Sequence, residues 1–586
     1  MDFVPQTARG LLSLSRQWRG RVAPSWADAI AFLLLAGGAV LVIRGAEGMI
    51  APLSRLHIAP VTLDPANLPG YALRTTLRMF AALGASLVFT FVVATLAAKS
   101  RRAGMVIVPA LDILQSVPIL GFLTFTVTFF MGLFPASQLG VELAAIFAIF
   151  TSQAWNMAFS FYQSLRSVPN DLEEVADSFA LSPWRRFIRL DLPFATPALV
   201  WNAMMSMSGG WFFVVASEAI TVGNTTVTLP GVGSYVALAI QQQNIAAIVY
   251  AVITMLVVII LYDQLLFRPL VAWADKFRFE TTASADAPQS WMLDLLRRSR
   301  LVRVLVTPLA WLARTVWTLR LPAMPAFGTG ERASGAARSR LADGLWIGLI
   351  ALGAAYGAYV SIGYLKTNVG WLDVATVLAD AFITLARVIV LMALATLLWV
   401  PVGVWIGLRP KLAEKVQPLV QFLAAFPANI AFPVFVVLIA HYDLNPNIWL
   451  SPLMILGTQW YILFNVIAGA SAFPSDLKEA ARSFHIAGWR WWFKVILPGI
   501  FPYYVTGAIT ASGGSWNASI VAEVASWGNE QLTARGLGAY ISKATSTGDF
   551  PRVVLGIVVM CLFVTLFNRL VWRPLYAFGE RRLRLA

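Results

Sequence analysis

The chain has 586 residues, of which 58% are hydrophobic and 12% charged, and its mean hydropathy is +0.71. No soluble domain could bury that much apolar surface, so most of it must face lipid or neighbouring helices. The net charge of +15 is concentrated near the ends of apolar segments, which indicates membrane topology rather than nucleic-acid binding.

Apolar windows predict twelve membrane-spanning helices, six in each half of the chain. The first six are 28–44, 71–98, 110–132, 141–163, 197–221 and 246–267. The second six are 343–363, 376–407, 418–440, 448–472, 502–525 and 552–572. Alternate polar segments hold 35 of the 44 Lys and Arg residues, and the positive-inside rule places these segments and both termini in the cytoplasm.

The spans and loops divide the chain into five parts: a cytoplasmic segment 1–27, a membrane domain 28–274, a basic linker 275–342, a second membrane domain 343–575 and a basic tail 576–586. The first segment lacks the apolar core and cleavage site of a signal peptide, so we expect it to be retained. Within the linker, 301–321 is predicted to lie in the inner interface as a basic amphipathic helix, because a span there would invert the second half.

The two halves are related by an internal repeat. EEVADSFALSPWRRFIRLDLP at 173–193 recurs as KEAARSFHIAGWRWWFKVILP at 478–498, with 8 identities in 21 positions. At the same offset of 305 residues, Glu218 matches Glu523, and Gly231, Gly233 and Tyr235 match Gly536, Gly538 and Tyr540. Upstream, at an offset of 309, Thr75 and Arg78 match Thr384 and Arg387. The chain is therefore predicted to contain two copies of one membrane module, fused in the same direction.

Each repeated loop is predicted to form two short helices on the cytoplasmic side, between the fourth and fifth spans. Asp171 and Asp476 are the expected N-caps of the first helix, and Glu174 and Glu479 would complete capping boxes. Proline or glycine then breaks the helix before a basic, aromatic turn. Aromatic side chains flanked by Arg on a water-facing element predict a docking surface for two soluble partners.

The Glu-x-Ala pattern followed by a distal Leu-Pro resembles the EAA loop of ABC-importer permeases. The run SGGSWNASIVAEVASWG at 512–528, with GLGAYI at 536–541, is similar to permeases of the nitrate, sulfonate, taurine and bicarbonate group, and SGGWFFVVASEAI at 208–220 is a looser match. The resemblance covers about 71–268 and 376–574. It departs from the family at Ala180 and His485, where such loops carry a glycine that permits a sharp turn.

The resemblance implies an all-α type I importer permease of the bacterial inner membrane. Its partners would be two cytoplasmic ABC ATPase subunits, which bind the ATP, and an extracytoplasmic substrate-binding protein that delivers a small anion or organic acid. The implied ATPase-coupling residues are Glu174, Ala176, Phe179, Trp184, Arg185, Pro193, Glu479, Ala481, Phe484, Trp489, Arg490 and Pro498.

Polar and small residues concentrate in the fifth span of each half and predict a translocation path or gate between the modules. The candidates are Ser208, Gly209, Gly210, Trp211, Glu218, Ser512, Gly513, Gly514, Trp516, Asn517 and Glu523. Close helix packing explains the small residues equally well, and packing is the favoured role for the two tryptophans. For the two glutamates a gate or scaffold role is favoured, because a carboxylate in the path would repel an anion.

The sequence contains no phosphate-binding G-x-x-x-x-G-K-[ST] loop, no metal-binding pair and no catalytic triad, so we expect a permease without its own ATPase activity, cofactor or metal. The competing class is a secondary transporter of the major-facilitator type, which also has two six-span repeats. Its conserved loop lies between the second and third spans, whereas the repeat here is strongest between the fourth and fifth. A membrane-embedded enzyme would need an acid-base or metal cluster that the sequence lacks.

Overall fold

The computed structural model describes residues 26–49, 60–115, 119–135, 137–222, 225–277, 290–318, 340–471, 473, 475–528 and 530–582. Nearly all of them are helical, which confirms the all-α class. Most of the predicted segment 1–27, much of the linker and the end of the tail lie outside the described residues.

The first half contains eleven helices and one hairpin within the described residues. The elements are α1 (Trp26–Met49), α2 (Leu68–Lys99), α3 (Arg101–Leu114), α4 (Ile119–Leu133), α5 (Gln138–Arg166), α6 (Asn170–Ser178), α7 (Pro183–Arg186), α8 (Leu192–Glu218), β1 (Ala219–Val222), β2 (Thr225–Thr228), α9 (Val232–Gln241), α10 (Ile245–Tyr262) and α11 (Arg268–Ala274). Two linker helices follow, α12 (Trp291–Arg298) and α13 (Arg300–Thr318).

The second half repeats this order, except that three shorter helices occupy the place of α5. Its elements are α14 (Arg340–Asn368), α15 (Trp371–Gly407), α16 (Pro410–Ala425), α17 (Phe432–His441), α18 (Pro446–Trp449), α19 (Leu453–Leu456), α20 (Gln459–Ser471), α21 (Ser475–Ser483), α22 (Gly488–Trp491), α23 (Leu497–Ala522), β3 (Val524–Trp527), β4 (Glu530–Thr533), α24 (Leu537–Thr547), α25 (Phe550–Phe567) and α26 (Arg573–Arg582).

The internal repeat predicted from sequence is also present in the backbone. The same 305-residue offset separates the starts of α6 and α21, of β1 and β3, and of α9 and α24. It also separates the π-helical turns that interrupt the fifth and sixth spans, Phe187–Asp191 from Trp492–Ile496 and Asp263–Phe267 from Asn568–Trp572. π-Bulges are rare in proteins and are frequently found at functional sites, so their duplication indicates a role shared by the two modules.

Helices occupy all twelve predicted spans, but they are not twelve continuous rods. Within the described residues eight helices are long and apolar enough to cross a membrane, or nine if the bent pair Pro446–Leu456 and Gln459–Ser471 counts as one span. The third span of each half was predicted as one helix, at 110–132 and 418–440, and this is wrong. It is broken between α3 and α4 and between α16 and α17. Pro427 lies at the second break and has no backbone N–H to continue a helix.

The fifth spans were predicted to end at 221 and 525, three residues too late. Helix α8 ends at Glu218 and α23 at Ala522, and an antiparallel hairpin follows each of them. Each hairpin begins with apolar residues that continue the apolar window of the helix before it. Hydropathy alone therefore placed the helix ends too late.

The predicted amphipathic linker segment is the helix α13. The side chain of Asp28 in α1 accepts hydrogen bonds from Ser299 Oγ at 2.9 Å and from the backbone N–H of Leu301 at 2.8 Å, and so joins the start of α13 to the first helix. Trp311 is 69% exposed. The linker helix therefore lies against α1, and its placement in the membrane interface stays a prediction.

Candidate functional site

The repeated loops form a helix, a turn and a second short helix at the N-terminal end of each fifth span. In the first half these are α6 and α7, and in the second half α21 and α22. Ala176 and Ala481 are each 4% exposed and face the rest of the protein. Phe179 and Phe484 are 74% and 77% exposed. Each loop thus anchors its small residue and presents its aromatic residue to the outside.

The remaining predicted coupling residues lie around these aromatics. Glu174, Glu479, Trp489 and Arg490 are exposed, whereas Trp184, Arg185, Pro193 and Pro498 are partly buried. The Trp184 ring stacks on Phe187, and the Trp489 ring stacks on Phe493. The structure therefore places the duplicated set on two comparable surfaces, of which the second is the more exposed.

The predicted capping of the first short helix is wrong in the first half. Helix α6 begins at Asn170, its N-cap is Pro169, and Asp171 lies within the first turn, where no side chain caps the helix. In the second half α21 begins at Ser475, so Asp476 is also inside the helix, and its side chain lies outside the described residues. Pro169 can precede a helix without losing a needed N–H, and the helix starts two residues earlier than predicted.

The turn between the two helices adopts the conformation that a glycine would favour, although neither loop has one there. Ala180 has a φ of 45° and His485 a φ of 54°, both in the left-handed region. Side chains with a Cβ are strained in this region. The departure from the family pattern therefore leaves the sharp turn in place and adds conformational strain.

Replacing His485 or Ala180 by glycine is expected to stabilise the loop by about 1 kcal/mol, because glycine adopts this φ without steric cost. The readout is hydrogen-exchange protection of the loop amides in the purified protein. The matched control is Ala480→Gly, at an exposed position inside α21, where glycine should lower protection because it weakens a helix. Equal effects of the two changes would contradict the strain argument.

The two loops differ in how they are braced, which the sequence analysis missed. In the first half Arg186 forms ion pairs with Glu173 at 2.7 Å and Asp177 at 3.2 Å, joining α7 to α6. Lys99 at the end of α2 pairs with the buried Asp191 at 2.6 Å. The positions equivalent to Arg186 and Asp191 are Trp491 and Ile496, so the second loop cannot form these pairs.

The small residues of the fifth spans face different neighbours. A Cβ on Gly209 would lie 2.9 Å from the Tyr461 hydroxyl of the second half, and one on Gly210 would meet Gln153 and Met79 of its own half. A Cβ on Gly514 would meet Thr458 of its own half, and one on Gly513 would meet nothing within 4 Å. Packing thus accounts for three of the four glycines, while Gly513 borders open space.

The other path candidates in these spans are buried. Ser208 and Ser512 are each 2% exposed, Trp211 is 0% exposed and Trp516 is 1% exposed. The Asn517 side chain accepts a hydrogen bond at 2.7 Å from the backbone N–H of Ile119, the first described residue after the break in the third span of the other half. Burial of both tryptophans agrees with a packing role, and Asn517 joins the two halves.

Glu218 is the centre of a fully buried polar cluster. Its carboxylate accepts hydrogen bonds from Thr75 Oγ1 at 2.7 Å, Arg78 Nη1 at 2.6 Å and the backbone N–H of Gly233 at 2.6 Å. The other edge of the Arg78 guanidinium binds both oxygens of Glu142, at 2.5 and 2.7 Å. One arginine therefore compensates two carboxylates in a site with no solvent access.

Glu523 occupies the same position in the second half. It accepts hydrogen bonds from Thr384 Oγ1 at 2.8 Å, Arg387 Nη1 at 2.9 Å and the backbone N–H of Ala539 at 3.0 Å. Asn447 replaces the second carboxylate, and its backbone carbonyl accepts a bond from Arg387 at 3.2 Å. The Arg387 side chain retains 10% exposure, whereas Arg78 has none.

Each cluster holds the start of the short helix after the hairpin. The hydroxyls of Thr75 and Thr384 accept bonds from the first N–H groups of α9 and α24, at Val232 and Leu537. Because these N–H groups have no partner within their own helix, the second and fifth spans supply the cap. The cluster therefore fixes hairpin and short helix to the spans of their own half.

The sequence held part of the signal for these clusters, since the threonine, the arginine and the glutamate of each cluster belong to pairs matched by the repeat. In the first half the threonine and the arginine lie 143 and 140 residues before the glutamate, and only the fold brings them together. Glu218 and Glu523 are thus held in ion pairs by their own halves, and their scaffold role stays a prediction.

The fold defines a multi-pass membrane protein built from two copies of one helical module, each with an exposed loop before its fifth span. Residues 86–268 and 399–583 each match the protein family described as "Binding-protein-dependent transport system inner membrane component". The two matches cover more than half of the chain, which therefore belongs to this family and contains its domain twice.

Individual relatives each match about a third of this chain. The chain is 29% identical over 188 residues to the nitrate import permease protein NrtB of Leptolyngbya laminosa and 28% identical over 188 residues to the bicarbonate transport system permease protein CmpB of Synechococcus elongatus. Each match covers 32% of this chain and 64% of the relative. The glycine betaine/proline betaine permease ProW of Salmonella typhimurium is 26% identical over 205 residues, 35% of this chain and 55% of the relative. The chain thus spans less than two thirds of each of these relatives.

Proposed function

We propose that this chain provides both transmembrane halves of an ATP-driven importer. Two cytoplasmic ABC ATPase subunits bind the two exposed loops, and a substrate-binding protein delivers solute on the opposite side. ATP-driven movement of the loops rocks the halves between inward-open and outward-open states. The chain lies in a bacterial inner membrane, with both termini and the linker on the cytoplasmic side.

The observation that carries this proposal is the pair of exposed loops. Each is directly continuous, through a π-helical turn, with a fifth span that contributes to the contact between halves. Trp201 in α8 stacks on Phe464 of the second half, and Gly209 lies against Tyr461. A force applied to the loop therefore acts on a helix at the interface.

The proposed substrate is a small anion or organic acid. Support comes from the family membership and from two relatives, a nitrate import permease and a bicarbonate transport permease. Two glutamates are among the predicted path residues, and neither is a free carboxylate. Glu218 and Glu523 each form an ion pair with an arginine. An anion would therefore not meet uncompensated negative charge at these positions.

Replacing Glu174 or Glu479 by lysine is expected to weaken ATPase binding at least tenfold while the chain still inserts and remains folded. Both residues are exposed, so a reversed charge there should not disturb the core. The measurement is co-purification of the ATPase subunits with the tagged chain, with the variant chain quantified in the same sample. Glu530→Lys is the matched control, because Glu530 is exposed on the hairpin at the far end of the fifth span. Normal association of both loop variants would contradict the proposal.

A further inference from the structure

The two halves also meet at the end of the fifth spans opposite the coupling loops. There, strand β1 of the first half packs against α24 of the second, and strand β3 of the second half packs against α9 of the first. Each hairpin thus crosses to the short helix of the other module. The buried glutamate clusters fasten each short helix to its own half, so the crossing contacts join elements that belong to different modules.

The crossing at β3 is resolved in detail. The backbone N–H of Gly528 donates a hydrogen bond to the carbonyl of Ile240 at 2.9 Å, and Gln243 Nε2 donates to the carbonyl of Trp527 at 3.5 Å. A Cβ on Gly528 would lie 2.4 Å from Gln243 Nε2, so the tip of the hairpin fits directly against this side chain. Trp527 is 8% exposed.

Both sides of this contact have a left-handed backbone. Gly528 has a φ of 60° and Gln243 a φ of 53°. For a residue with a side chain this conformation is strained, and such strain persists where the surrounding contacts enforce it. Among the residues that the structure describes at this contact there are hydrogen bonds but no ion pair, in contrast to the clusters beside it.

We infer that Gly528, which follows β3 and lies against Gln243 just beyond the end of α9, is part of the outer gate of the path between the two halves. The inference rests on the proposed importer function. In the conformation described, the gate is closed. Opening the outer side separates Gly528 from Ile240 and Gln243, while the Glu218 and Glu523 clusters keep each gate element attached to its own half.

The test is a disulfide across the gate, Gln243→Cys with Gly528→Cys, in a Cys561→Ser background. A Cβ on Gly528 would lie 2.6 Å from Gln243 Cγ, the position that a cysteine sulfur would take, so small adjustments give disulfide geometry. The matched control pairs Gln242→Cys, at the adjacent exposed residue, with the same Gly528→Cys. Crosslinking is followed in the complex purified with its ATPase subunits.

The 243–528 pair is expected to crosslink rapidly without nucleotide and at least tenfold more slowly after trapping with Mg-ATP and vanadate. The 242–528 pair should react slowly in both states. Equal rates for 243–528 in the two states, or no crosslink in either, would overturn the gate while leaving the importer function standing. If no ATPase associates with the unmodified chain, the proposed function fails, and the gate inference fails with it.

Discussion

Replacing Arg78 by alanine is expected to cost about 3–5 kcal/mol of stability, the usual effect of removing one partner from a buried ion pair. The loss leaves Glu142 and Glu218 buried beside each other without a counter-charge. The measurement is the thermal unfolding midpoint of the detergent-purified chain, with size-exclusion chromatography to detect aggregation. Arg387→Ala should cost less, because Arg387 is partly exposed and neutralises a single carboxylate.

The matched control for Arg78→Ala is Arg74→Ala, one helical turn away in α2. Arg74 is half-buried and forms no ion pair or hydrogen bond with the residues that the structure describes. Its removal should change the unfolding midpoint by a small fraction of the Arg78 effect. Similar losses for both variants would show that the cluster does not carry the stability assigned to it.

Adding a methyl group at Gly231 or Gly536 is expected to destabilise the outer end of its module by about 1–3 kcal/mol, as overpacking of a filled site does. A Cβ would lie 2.3 Å from the Glu218 carboxylate at the first position and 2.4 Å from the Glu523 carboxylate at the second. The glutamate would have to move and release the start of α9 or α24. We therefore expect Gly231→Ala and Gly536→Ala to lower the unfolding midpoint and to increase protease cleavage within the hairpins.

Gly513→Ala is the control for this pair of variants. A Cβ there meets nothing within 4 Å, and alanine is the better helix former, so stability should be unchanged or slightly higher. The interpretation of Gly231 and Gly536 as contact glycines would be wrong if all three alanine variants behaved alike.

The sequence predicted the architecture well because hydropathy and the repeat report on averages over long segments. Twenty apolar residues must be buried in lipid whatever their neighbours are, so the positions of the spans followed from composition. The breaks in the third spans and the bend before Gln459 did not follow, because apolar residues on either side of a break still give a continuous hydropathy window. The hairpins were missed for the same reason.

The predicted coupling residues could be located because they depart from their apolar surroundings and occur twice. The ion pairs of Arg186 that join α7 to α6 could not be predicted, because they depend on the angle between these two helices. Because Ala180 and His485 stand where the family has glycine, the sequence did not decide whether the sharp turn forms. The backbone shows that the turn is retained in both loops.

By itself the sequence determined the class of protein, the duplication, the exposed loops and the residues that the two modules share. Each of these follows from local composition or from residues repeated between the two halves. Only the tertiary structure decided that Thr75, Arg78 and Glu218, and their counterparts in the second half, form buried clusters. Only it showed that the hairpin of one half seats on the short helix of the other. Ion pairs and interlocking turns depend on distances between segments far apart in the chain, which packing sets and no local pattern records.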